Sequence, residues 1–174
     1  GLQLSLMILA FDTYYKAQKA HTACVVFNTW EDAHPQTVYT ETREGVEDYK
    51  PGEFYKRELP CIVSLLEQIE TKNVIAIIID GFVYVDDNGK PGLGGHLYES
   101  LNRLIPVVGV AKTNFYSVEK LKRHVLRGIS RVPLYVTAAG MDVDEAAACI
   151  SKMSGEYRMP SILKQLDTLS RSTD

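Results

Sequence analysis

NVIAIIID, residues 73–80, is the stretch that decides the fold, because it is almost continuously apolar and ends on a single acid, Asp80. An apolar run of this length without alternation is typical of a strand whose two faces are both covered by helices. A second run, LSLMILAFD at residues 4–12, has the same character and ends on Asp12. Both runs therefore predict central strands, each with a carboxylate at its carboxyl end.

Acids at the carboxyl ends of neighbouring strands would meet at the sheet edge where ligands bind in α/β folds. A third acid, Glu58, lies in YKPGEFYKRELP, residues 49–60, next to the start of an apolar helix. Carboxylates that are brought together repel one another unless a cation or a shared proton offsets their charge. A hard divalent cation is the simplest resolution. The sequence therefore suggests Mg²⁺ or Mn²⁺ held by Asp12, Glu58 and Asp80, and with it phosphoryl-transfer chemistry.

The order of the predicted elements indicates the fold class. Three β-rich segments joined by short turns begin the chain and predict an antiparallel meander. Residues 54–70 follow with the three- and four-residue apolar spacing of an amphipathic helix, in which Pro60 is tolerable only near the start. Strands and helices then alternate, and a short surface element is expected at residues 117–126. The order β-β-β-α-β-α-β-(α)-β-α predicts an α/β, ribonuclease H-like mixed sheet flanked by helices, as one domain over residues 1–174.

Charge and cysteine usage limit the classes of partner. The chain has 174 residues, with 19 Lys and Arg against 22 Asp and Glu, a net charge of −3. This balance argues against binding nucleic acid through bulk positive charge, although it allows a local basic face. The three cysteines, Cys24, Cys61 and Cys149, are widely spaced in apolar surroundings and predict buried thiols in a reducing, cytoplasmic compartment. No uncharged run approaches the roughly 20 residues of a membrane span, so we expect a protein with no membrane partner, and a monomer.

Several segments carry a more specific signal when they are taken together. Residues 11–15, FDTYY, place an Asp before small and aromatic residues, and residues 49–60 contain Tyr-x-Pro-Gly followed by Arg-Glu-x-Pro. Asp-Gly at residues 80–81 is followed by GLGGHL at 92–97 and by PVVGVAK at 106–112. In order and spacing these segments resemble the endonuclease V family of inosine-directed nucleases, over roughly residues 8 to 165.

The resemblance implies an activity and a set of site residues. The family nicks nucleic acid that contains deoxyinosine, or inosine in RNA, usually one nucleotide beyond the lesion on the 3′ side. It therefore implies a Mg²⁺- or Mn²⁺-dependent hydrolase of DNA repair, whose partner is inosine-containing DNA or RNA. The implied catalytic residues are Asp12, Glu58 and Asp80, which are also the implied metal ligands, and Lys112. The implied substrate-binding residues are Tyr49 as an aromatic wedge, Pro51, Gly52, Gly81, Gly94, Gly95 and His96.

The chain also departs from the family's pattern. Family members usually carry Gly-His-Arg after the fifth strand, with a His that supports the metal site, and by register the His and Arg positions here are Gly140 and Met141. The family's C-terminal Arg and His correspond to Lys164 and Asp167. These departures leave open an alternative function, that of a catalytically weakened or inactive endonuclease V-like nucleic-acid binding or interaction protein.

Overall fold

A computed structural model, which describes residues 5–46 and 53–172, contains one seven-stranded mixed sheet. Its strands are β1 (Met7–Lys16), β2 (Lys19–Phe27), β3 (Thr37–Glu44), β4 (Val74–Asp80), β5 (Val107–Ala111), β6 (Arg123–Val125) and β7 (Leu134–Ala139). Their order across the sheet is β3-β2-β1-β4-β5-β7-β6. The first three strands form the predicted antiparallel meander, and β1, β4 and β5 are parallel neighbours at the centre. The predicted mixed sheet is thus confirmed.

In the described residues, four helices cover the two faces of the sheet. They are α1 (Phe54–Leu66), α2 (Leu93–Ser100), α3 (Val143–Ser151) and α4 (Ser161–Arg171). Helices α1 and α2 pack on the face that carries Leu9 and Ile77, whereas α3 and α4 pack on the face that carries Ile8 and Ile78. Because alternate residues of a strand point to opposite faces, each near-continuous apolar run contributes side chains to the hydrophobic cores on both faces of the sheet.

Two local predictions need correction. Pro60 lies well inside α1 rather than near its start, and it is exposed there, on the side of the helix away from the core. The surface element expected at residues 117–126 contains the short edge strand β6, which pairs antiparallel with β7. The cysteines are buried free thiols, as predicted. In the part of the chain that the structure describes, no helix has the length and apolar character to cross a membrane.

Candidate active site

Asp12 and Asp80 lie side by side on the two central parallel strands. The last pair in the β1–β4 register is Phe11 with Ile79, so the next residue of each strand is one of the two acids. Neighbouring strands are about 4.8 Å apart. Alternation places both carboxylates on the face of α3 and α4. The sequence run suggested that Asp12 ends its strand. In the structure, β1 continues beyond Asp12 to Lys16, paired there with β2 alone.

Glu58 approaches the same edge from the opposite face. It lies in α1, which packs on the other side of the sheet, and the side chain of Thr13, the residue after Asp12, lowers the pKa of its carboxyl. The charges of Asp12 and Asp80 both act on it. The three predicted carboxylates are therefore brought to one edge of the sheet from two strands and one helix.

Helix α4 adds two residues that sequence reasoning did not place here. Asp167 lines the same cleft as Asp12 and Asp80, and its charge acts on both. Ser170, one turn further along α4, is buried and donates a hydrogen bond from Oγ to Asp12 Oδ2 at 2.8 Å. The one available signal was that Asp167 matches the position of a family histidine.

The protonation equilibria of these acids are strongly perturbed. Burial, followed by the charges of Asp80 and Asp167, raises the pKa of Asp12 to about 6, although the Ser170 hydrogen bond opposes the shift. Burial and then the charges of Asp80 and Asp12 raise the pKa of Glu58 to about 8. Asp80 is exposed at the end of β4, yet neighbouring groups desolvate its carboxyl and raise its pKa, while Lys112 lowers it. Burial and, after it, mutual repulsion thus disfavour the ionised forms of the acids at this edge.

The cleft between these groups is small. It has a volume of about 30 Å³, and Lys112 and Met159 line it together with the three aspartates. A single water needs roughly 10–15 Å³ of such space, so the cleft suits an ion with its waters rather than a nucleobase. We therefore expect any recognised base to bind outside it.

The donor set fits a hard divalent cation, because carboxylate oxygens are the ligands that Mg²⁺ and Mn²⁺ prefer. A cation placed between the acids would offset both the burial and the mutual repulsion that raise their pKa values. Within residues 5–46 and 53–172, however, no three Asp, Glu, His or Cys side chains are close enough to form a ready-made metal site. The acids interact through their charges without converging, so metal binding would have to draw them together.

The segment after Asp80 is held on the sheet by a glycine and a threonine. Gly81 donates its N–H to the carbonyl of Val110, and Val83 donates its N–H to Thr137 Oγ1 at 2.8 Å. A Cβ on Gly109 would lie 2.5 Å from the Gly81 oxygen and 2.8 Å from Thr137 Oγ1. The glycine at position 109 of the GVAK motif is therefore explained by sterics, since only glycine lets this segment cross β5 so closely.

The remaining predicted residues lie at different distances from the carboxylates. Gly94 and Gly95 permit close packing of α2, since a Cβ on either would lie within 2.7 Å of an atom of Val83. His96 stacks on Tyr55 of α1 with ring centroids 3.7 Å apart. A pocket role for these residues remains a prediction. Tyr49, Pro51 and Gly52 lie outside the described residues.

Gly140 and Met141, which by sequence register occupy the family's His and Arg positions, do not lie near the carboxylates. Strand β7 runs antiparallel to β5, with Ala139 opposite Val107. Gly140 therefore follows β7 at the start of β5, where a Cβ would meet the ring of Tyr98 at 2.8 Å and Pro106 at 3.1 Å. Lys112 and the carboxylates are at the other end of the strand. A side chain at residue 140 would consequently lie away from the carboxylate edge.

Comparisons with known proteins concern the family and the fold. The family model described as Endonuclease V matches residues 3–135. The crystal structure of Ciona intestinalis endonuclease V in complex with a 24mer DNA containing an inosine followed by a ribo-adenosine has a TM-score of 0.80 at 20% identity, covering 95% of this chain and 84% of that one. Endonuclease V from Streptomyces avermitilis has a TM-score of 0.70 at 22% identity, covering 95% and 79%.

Human endonuclease V is similar to the same degree, with a TM-score of 0.73 at 19% identity, covering 95% of this chain and 83% of that one. Among curated proteins, none matches the chain in sequence. At these identities the solved structures establish the shared ribonuclease H-like fold.

Proposed function

The chain belongs to the endonuclease V family, and from that premise we propose that it is a metal-dependent endonuclease hydrolysing the phosphodiester bond 3′ to deoxyinosine or inosine. The observation that carries the proposal is the position of Asp12 and Asp80, side by side at the carboxyl edge of the central strands. Glu58 and Asp167 reach the same edge from helices on opposite faces of the sheet.

In this proposal Asp12, Glu58 and Asp80 hold Mg²⁺ or Mn²⁺, and Asp167 contributes further negative charge. The bound ion would supply an activated water and neutralise charge on the phosphate under attack. The two halves of the site differ in their supports, because Ser170 restrains Asp12 whereas Asp80 has Lys112 beside it. Packing from both sides of the sheet would thus keep the carboxylates near one edge, and the cation would draw them together.

Lys112 contributes a positively charged side chain to the cleft. Its ammonium lies near Asp80 in the cleft, where it offsets part of the carboxylate charge. With the phosphate in place, the same ammonium would stabilise a non-bridging oxygen as negative charge develops on it. This role requires Lys112 to keep its orientation relative to Asp80.

Nucleic acid is the proposed partner. The neighbouring Ciona intestinalis structure contains inosine-bearing DNA, and the motif that carries Tyr49 resembles the family's wedge. A base must leave the duplex stack before an enzyme can examine its edges, at a cost of a few kcal/mol. Because the space beside the carboxylates is only about 30 Å³, the flipped base would occupy the region beyond Asp80, where Gly81, Gly94, Gly95 and His96 lie.

A nicking assay tests this function. The protein is incubated with a labelled deoxyinosine duplex, a matched undamaged duplex and an inosine-containing RNA, each with Mg²⁺, Mn²⁺ or EDTA. We expect a nick 3′ to the inosine nucleotide only when metal is present. Binding to inosine substrates without a nick in any metal would instead establish the inactive, nucleic-acid-binding alternative. If the protein neither binds nor cleaves these substrates, a nucleic-acid function is refuted.

A further inference from the structure

Arg158 contacts Lys112, the residue that follows β5. It lies in the segment 153–160 between α3 and α4, and its guanidinium Nη2 donates to the main-chain carbonyl of Lys112. The same guanidinium donates to the carbonyl of Pro133, from Nη2 at 2.7 Å and from Nε at 3.2 Å. One side chain thus ties the residue after β5 to the residue before β7.

The segment that carries Arg158 is itself anchored by a second arginine. Arg127 is buried, and its guanidinium donates to the carbonyls of Tyr157 at 2.7 Å and of Gly155 at 3.2 Å, and also to that of Met153. Main-chain carbonyls that accept from a buried guanidinium are costly to release, because they would be left without partners. The backbone around Arg158 is therefore held in place by the hydrogen bonds from Arg127.

The chain continues from Arg158 directly into the site. Met159 lines the cleft beside Lys112, and Pro160 immediately precedes α4, which carries Asp167 and Ser170. The Lys112 peptide is fixed by Arg158, and the direction of its Cα–Cβ bond is fixed with it. Arg158 thus contacts Lys112 at its main chain rather than at its ammonium.

We propose that Arg158 is a positioning residue that holds Lys112 beside Asp80 through the Lys112 main-chain carbonyl, and that it makes no contact with the substrate. This inference rests on the proposed function for its catalytic consequence, but its structural content is independent of activity. Arg158→Gln removes the forked donor. Arg131→Gln, at an exposed arginine nearby in the chain, is the matched control.

The first test needs no nuclease activity. Lysines are reductively methylated with a ¹³C label, and the Lys112 signal is assigned from its loss in Lys112→Arg. Asp80→Asn should shift the Lys112 signal in the wild type and in Arg131→Gln, whereas the shift should fall by at least half in Arg158→Gln. An undiminished shift in a folded Arg158→Gln protein overturns the proposal, whether or not the protein cleaves nucleic acid.

The second test uses single-turnover cleavage of the deoxyinosine duplex. Arg158→Gln should slow the chemical step by roughly ten- to a hundredfold, as expected when a catalytic group is displaced by about 1 Å, with duplex binding unchanged. In a Lys112→Met background the same substitution should have no further effect. If Arg158→Gln slows cleavage by the same factor in the Lys112→Met background as in the wild type, the proposal is overturned. If Arg158→Gln fails to fold, Arg158→Lys, which keeps one donor but loses the fork, takes its place in both tests.

Discussion

Ser170 Oγ donates a hydrogen bond to Asp12 Oδ2 at 2.8 Å, and this bond joins the last helix to the first strand across 158 positions of sequence. Because the bond stabilises the ionised form, it opposes the rise in the pKa of Asp12 that burial causes. A hydroxyl on α4 thereby influences the charge of a residue at the centre of the candidate metal site.

Ser170→Ala should raise the pKa of Asp12 further above its usual range. The buried carboxylate loses its donor, and hydrogen bonds to charged groups contribute roughly 1.5–3 kcal/mol. We expect the free energy of unfolding to fall by about 1–2 kcal/mol near pH 8, where Asp12 is ionised, and by less near pH 5. Urea denaturation at both pH values measures this, with the exposed Ser151→Ala as control. Equal losses at the two pH values would show that the bond does not act on the carboxylate's charge.

Glu58 should make the metal-free protein less stable as the pH rises. Its pKa is about 8 in the folded state against an ordinary value near 4.5, so the folded state holds the proton more tightly than the unfolded state does. The resulting stability is fully present below about pH 4 and is lost as the pH rises through about 8.

Glu58→Gln removes this dependence because glutamine does not titrate. Thermal unfolding in EDTA should therefore show the variant gaining on the wild type between about pH 5 and pH 9. The exposed Glu145→Gln should run parallel to the wild type. If Glu58→Gln also runs parallel, the carboxyl of Glu58 does not carry the perturbed pKa.

Asp167 should contribute to metal affinity, because its negative charge acts on both Asp12 and Asp80. Mn²⁺ that binds only the folded state raises the free energy of unfolding, by about 2.7 kcal/mol at a hundred times Kd. We expect Asp12→Asn to abolish the Mn²⁺-dependent rise in Tm, Asp167→Asn to weaken it, and the exposed Asp144→Asn to preserve it. A full rise in the Asp167 variant would exclude that residue from the metal's environment.

Gly109→Ala should displace the segment that follows Asp80. The new methyl group would lie 2.5 Å from the Gly81 oxygen and 3.0 Å from the Val83 nitrogen, both of them backbone atoms. Overpacking of this kind costs typically about 1–3 kcal/mol, and we expect a loss of that size in urea denaturation. The hydrogen bond from Val83 to Thr137 should weaken as well, so amide exchange at Val83 should accelerate. Unchanged exchange would mean that the segment accommodates the methyl group.

Much of the architecture could be predicted because its signals are local. The apolar runs that end near Asp12 and Asp80 specified the central strands, and the short turns specified the meander. Asp167 and Ser170 were not placed at the site, because their positions depend on how α4 docks on β1. The sequence register also misplaced Gly140, because the antiparallel direction of β7 takes that residue to the far end of the sheet. Packing and strand direction are long-range properties that a single sequence does not display.

The central claim is that Asp80 serves metal-dependent cleavage beside inosine, and the cleavage rate of a deoxyinosine duplex under single-turnover conditions with Mn²⁺ tests it most directly. Asp80→Asn keeps the size of the side chain but removes the charge needed to hold a cation. We predict that the wild type and Asp144→Asn nick the strand 3′ to the inosine nucleotide, that EDTA stops both, and that a folded Asp80→Asn protein shows no nick. Cleavage by Asp80→Asn at the wild-type rate would contradict the account.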